Sequence, residues 1–196
     1  MKCEWGRGMF GRIILAGVLA MSFAPAAQAA EGLDCALNAL STENRAVLEL
    51  DFSARNQADS ERATSALFQA VSDCADQHHW SPEATEDVTY FSLFKPVFDN
   101  LVTHSPLSAS QMSRLVRTVD IADRADMAAA LDPLIARGMG GESGEDAVVP
   151  PASVRFFVQV TLRAAIPMNE VNQEYIGAYL AARHVTESRA LSFASR

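Results

Sequence analysis

The chain has 196 residues, with 16 Lys and Arg against 24 Asp and Glu, a formal net charge of −8, and 49% hydrophobic residues. That size permits one ordinary core. The acidic balance with scattered arginines lacks the basic stripe that nucleic-acid phosphates require, so no nucleic-acid partner is expected, and it disfavours electrostatic docking to anionic lipid.

Lys2, Arg7 and Arg12 make a basic start. Ile13 to Ala24 follows without a charge, Pro25 breaks the run, and Ala27-Gln28-Ala29 has the small-x-small pattern of a cleavage point. Residues 1–29 therefore read as a secretory signal peptide, with cleavage expected after Ala29. The apolar run is shorter than the ~20 residues of a spanning helix. The expectation is a periplasmic or secreted protein, residues 30–196 forming a single helical domain, with no membrane insertion after signal cleavage. The signal takes three of the 16 basic and one of the 24 acidic residues, so the remainder carries 13 and 23 and a net charge of −10.

Export also decides the cysteines. Cys3 falls in the signal, leaving Cys35 and Cys74 as an even pair for an oxidising compartment, read as one disulfide. Cys35 points away from the stripe of Leu33, Leu37 and Leu40, so its end of the bridge is expected at a helix end or loop. From Asp59 to His79 there is no Gly or Pro, and Ala63, Leu67, Ala70, Val71, Cys74 and His78 recur at helical spacing.

Polar-Pro pairs at 81, 105 and 132 read as helix starts. The helix from Pro82 carries Val88, Phe91, Phe94, Phe98 and Leu101, with Pro96 expected to kink or split it. Ser108 and Gln111 form a capping box before Met112, Leu115, Val116 and Val119. The next helix carries Met127, Leu131, Leu134 and Ile135, with a possible break at Asp132-Pro133. GMGGESGEDAVVPP (138–151) is Gly-rich, acidic and Pro-bounded, and reads as a flexible loop. A final helix runs through Met168, Val171, Tyr175, Tyr179 and Ala182, with Arg183 and His184 in its last turn.

Two stretches alternate apolar and polar residues: 47–54 through Leu48, Leu50 and Phe52, and 154–163 through Val154, Phe156, Val158, Val160 and Leu162. As strands they would pair into a small two-stranded ribbon. The helical template also fits, and nothing else in the chain supplies a third strand. The fold class is therefore all-α: an irregular bundle of about five to seven helices with one disulfide.

Catalytic signatures are missing, and no catalytic residue or cofactor is assigned. GGESG places Gly141 before Ser143 but Glu145 where a nucleophile elbow needs glycine. Glu86 and Asp87 beside Tyr90 read as the acidic start of a helix, and Asp120, Asp123 and Asp126 as an N-cap with a solvated face, Arg117 and Arg124 being near enough to neutralise it.

The stretch CADQHHW (74–80) holds four potential ligands, but only Cys74 and His78 share a helical face. A structural zinc site needs four, and a bridge to Cys35 removes the thiolate. Tyr175 and Tyr179 are read as the more exposed members of an aromatic set that includes Phe91, Phe94, Phe98, Phe156 and Phe157, and hence as candidate ligand contacts. The expected function is non-enzymatic binding or scaffolding with a protein partner. The alternative is a small-molecule or metal binder using an apolar interhelical pocket or the His78 region.

Overall fold

The computed structural model describes residues 24–50, 55–139 and 149–196. Most of the expected leader, the end of the 47–54 stretch, and residues 140–148 with Ser143 lie outside the described residues. Among the described residues there are eight α-helices and no strand: α1 (Ala24–Ala39), α2 (Thr42–Glu49), α3 (Gln57–His78), α4 (Pro82–Thr103), α5 (Ala109–Asp120), α6 (Arg124–Met139), α7 (Pro151–Arg163) and α8 (Glu170–Ala194). The irregular all-α bundle with one disulfide is what the chain forms.

Side-chain caps fix most of the helix starts. Ser41, Asn56, Ser81 and Asn169 each accept a hydrogen bond from the backbone N–H three residues on, and Ser108 with Gln111 closes the expected capping box. Of the three polar-Pro pairs, only Ser81-Pro82 begins a helix. Pro106 lies in the turn before α5, and Pro133 sits inside α6. Pro96 and Pro133 do not split their helices, which are assigned without a break. Pro96 is buried, so packing on both sides offsets the hydrogen bond that its ring removes.

α3 and α7 both end on a residue in the left-handed region, His79 (φ 54°) and Ala165 (φ 51°). Trp80 N–H reaches back to Ala75 O at 3.0 Å, and Ile166 N–H to Thr161 O at 3.1 Å. This is the Schellman arrangement, made here without glycine.

α4 and α8 form the most extensive helix pair. Two hydrophobic clusters lie along this spine. The first joins α1, α2 and α3 to α4 and to Ala182 and Val185 of α8, with Leu48, Leu67 and Val88 fully buried. The second joins α5, α6 and α7 to Tyr175, Ile176, Tyr179 and Leu180 of α8. Contact with both clusters explains why α8 shows no single apolar stripe.

α8 runs to Ala194, so Arg183 and His184 are mid-helix and not in its last turn. Their side chains reach partners elsewhere in the fold, Asp120 for Arg183 and Asp132 for His184.

The alternating stretch 154–163 is helical. With 3.6 residues per turn, Phe156 and Val160 stack toward the core while Val154, Val158 and Leu162 stack on the outside. The alternation is thus two apolar stripes on one helix. The first part of the other stretch, 47–49, belongs to α2, and the two form no ribbon among the described residues.

Candidate functional site

The bridge joins Cys35, inside α1 rather than at its end, to Cys74 on the buried face of α3, with Cα atoms 6.2 Å apart. Its loop closes over a sequence separation of 39. Cys74 therefore offers no thiolate to a metal. His78 is exposed, and its ring stacks on Trp80 at 5.5 Å. Trp80 in turn meets the edge of Phe193 at 5.6 Å. Among the described residues, no group of three or more His, Cys, Asp or Glu is placed to hold a metal ion. The 74–80 segment is a helix end clamped to α1 and α8.

The three acids 120, 123 and 126 do not share one helix. Asp120 ends α5 and pairs with Arg183; Asp123 Oδ1 accepts from Ala125 N–H at 2.7 Å at the start of α6. Arg183 also bonds Glu187 at 2.7 Å. Burial works against its charge, but Asp120 and Glu187 outweigh that and raise its pKa.

Tyr175 and Tyr179 are buried, against the sequence expectation that they are the exposed aromatics. Tyr175 donates to Leu101 O at 2.9 Å, and Arg183 Nη1 donates to Tyr179 Oη at 3.4 Å. The two rings stack 6.1 Å apart. Burial pushes both phenols above their ordinary pKa. They are core side chains with satisfied hydroxyls, and neither lines a groove described below.

Asp87, expected as part of the acidic start of a helix, lies within α4 with its side chain buried. Arg189 donates to it at 3.1 Å and Arg196 at 2.9 Å, and the Arg189 guanidinium lies 4.5 Å from the centre of the Tyr90 ring. No local spacing in the sequence could announce ion pairs that join residues about a hundred positions apart.

Among the described residues, grooves open between α4, α6, α7 and α8. A cleft of about 600 Å³ between α4, α6 and α8 contains Tyr90, Asp132, His184, Ser188 and Arg189. Ser, His and Asp are the residue types of an acyl-transfer triad, but the geometry is different. His184 Nε2 is 2.8 Å from Asp132 Oδ1, and Ser188 Oγ donates to Val185 O at 3.2 Å rather than to the ring. Among the described residues, no base is hydrogen-bonded to that hydroxyl.

The second groove, about 470 Å³, has walls of Phe94, Leu131, Leu134, Ile135 and Phe157 and a floor of Gly177, Ala178 and Ala181. Among the described residues, no polar side chain lines it. The small floor residues keep it open: a Cβ placed on Gly177 would lie 3.7 Å from the Phe157 ring. A smaller groove of about 210 Å³ lies on the other side of Phe157, between Val154, Val158, Met168 and Ile176.

No family model matches the chain, and no curated protein or solved structure matches it either. Among the described residues, no helix is long and apolar enough to cross a membrane.

Proposed function

We propose that this is an exported, non-enzymatic binding or scaffolding protein, acting in the periplasm or outside the cell, whose groove between α6, α7 and α8 receives an apolar element of a protein partner. The observation that carries the reading is the groove itself: an open trough about 470 Å³ in volume with apolar walls and a small-residue floor. Such a lining suits inserted Leu, Phe or Met side chains and offers no group for chemistry. Export is supported by the basic start, the apolar 13–24 run, the Ala27-Gln28-Ala29 pattern and the Cys35–Cys74 bridge. The acidic charge supports a partner other than nucleic acid.

The test is site-specific photo-cross-linking from position 178 in native envelope extracts, with the Gly177→Leu variant as control. One discrete protein adduct, absent from the filled-groove variant, is expected. No adduct in either protein would sink the reading. Sequencing the purified native protein from its N-terminus should begin at Ala30.

A small apolar molecule is the second reading, favoured by the groove's size, which falls in the ~300–1,000 Å³ range of small-ligand sites. Native mass spectrometry separates the two. A bound mass removed by organic extraction supports the ligand, and the bare oxidised chain excludes it.

A further inference from the structure

The cleft between α4, α6 and α8 has two unlike sides. α6 lines it with the apolar side chains of Ala128, Ile135 and Ala136. α8 lines it with His184, Ser188 and Ser192, one turn apart on one face, beside Arg189. Its volume of about 600 Å³ falls in the ~300–1,000 Å³ range of small-ligand sites, which combine apolar walls with a few convergent polar groups.

Opposite charges line its two ends. Arg189 is held in place by Asp87, Glu86 and the ring of Tyr90, 4.5 Å from its guanidinium carbon. Both of those ion pairs use Nη1. Nε and Nη2, a pair that can fork a carboxylate, have no hydrogen-bond partner among the described residues. Toward the other end, Asp132 is 66% exposed and accepts at Oδ1 from His184 Nε2 at 2.8 Å. His184 is buried, so this carboxylate is positioned from within the core. Its Oδ2 has no partner among the described residues.

We propose that this cleft binds a short zwitterionic peptide of two or three residues with an apolar side chain. The peptide ammonium sits on Asp132 and its carboxylate on Arg189. The apolar side chain packs on Ile135 and its neighbours, and Ser188, between the two ends, meets a peptide amide.

Span selects the length. His184 and Arg189 are five positions apart on α8, about 7.5 Å along the helix axis. An extended chain covers at most ~3.3–3.6 Å per residue, so two or three residues bridge the ends and a single amino acid does not. Charge selects the zwitterion. Arg189 and Arg196 stand against Glu86, Asp87 and Asp132, an excess of one acid with His184 uncounted. That balance disfavours a ligand with only a carboxylate. A ligand with only an amine would leave the free edge of Arg189 unmatched.

The inference concerns a cavity other than the apolar groove, although both touch Ile135, and it does not depend on the groove's function. The test is isothermal titration calorimetry of the purified oxidised chain with leucyl-leucine, compared with free leucine, N-acetyl-leucyl-leucine and leucyl-leucine amide. One dipeptide per chain is expected, with a Kd on the order of 10–1,000 µM. Free leucine and each blocked form should bind at least tenfold more weakly. Asp132→Asn should erase the preference over the N-acetyl form while keeping the preference over the amide. Ala136→Trp, at an exposed position on the cleft wall, should abolish binding with Tm unchanged. No binding at millimolar dipeptide overturns the inference. So do blocked forms that bind as tightly as the free dipeptide, or binding that both Asp132→Asn and Ala136→Trp leave intact.

Discussion

Arg189 Nη1 donates to Asp87 Oδ1 at 3.1 Å, joining a carboxylate that is 1% exposed to a guanidinium that is 34% exposed. The asymmetry sets the energetics. If the carboxylate is removed, both Arg189 and Arg196 can turn into water, so Asp87→Asn is expected to cost about 2 kcal/mol, less than a fully buried pair. If both arginines are replaced by Met, a buried carboxylate is left alone, and the expected cost rises to about 3–5 kcal/mol. Urea unfolding of the two variants checks the order. Equal losses would mean that the carboxylate is not the costly partner.

The two stacked tyrosines predict an alkaline limit. Burial raises both phenol pKa values in the folded chain above the ordinary value of about 10. Above that value the unfolded chain loses its phenolic protons first, so it binds fewer protons than the folded one and stability falls as pH rises. Below it the contribution is fully present. Unfolding free energy measured between neutral pH and the alkaline range should decline above about pH 10. Tyr179→Phe should make that decline shallower. Tyr175→Phe should do the same, at a neutral-pH cost of about 1 kcal/mol for the lost bond to Leu101 O.

Ala165 caps α7 in a conformation that strains a Cβ, at φ 51°. Glycine there removes a strain of about 1–2 kcal/mol but adds unfolded-state entropy worth about 0.4–1 kcal/mol. Ala165→Gly should therefore stabilise the protein by roughly 0.5–1 kcal/mol, seen as a higher Tm. A lower Tm would show that the entropy prevails.

Breaking the Cys35–Cys74 bridge should lower stability by about 2–4 kcal/mol, the loop-closure value for a loop of this length less any relief of strain. Paired Cys→Ser variants, followed by urea unfolding, measure it. Intact mass of the untreated chain should be two hydrogens below that of the reduced chain, and added zinc should shift neither stability nor mass.

What the sequence made legible was local. Ser108 and Gln111, and Ser81 with Pro82, announce helix starts because their partners lie three residues away. Cys35 and Cys74 were the only pair left for a bridge once the leader was set aside. The interhelical arrangement was not legible. Tyr175 and Tyr179 read as surface aromatics because each hydroxyl wants a polar partner, but the partners are Leu101 O and Arg183. Asp87 reads only as a helix-start acid because its two arginines lie a hundred positions downstream. The grooves depend on which helices adjoin: Gly177, Ala178 and Ala181 form a floor only because α6 and α7 stand on either side. Nothing in a single helical wheel records that neighbour.

α8 supplies Ala182 and Val185 to one cluster and Tyr175, Ile176, Tyr179 and Leu180 to the other. It is also the last described helix to leave the ribosome. Neither cluster is complete until residues 170–194 are in place, even though α1 and α3 already hold the two cysteines. The arrival of α8 is therefore the step that completes both halves together.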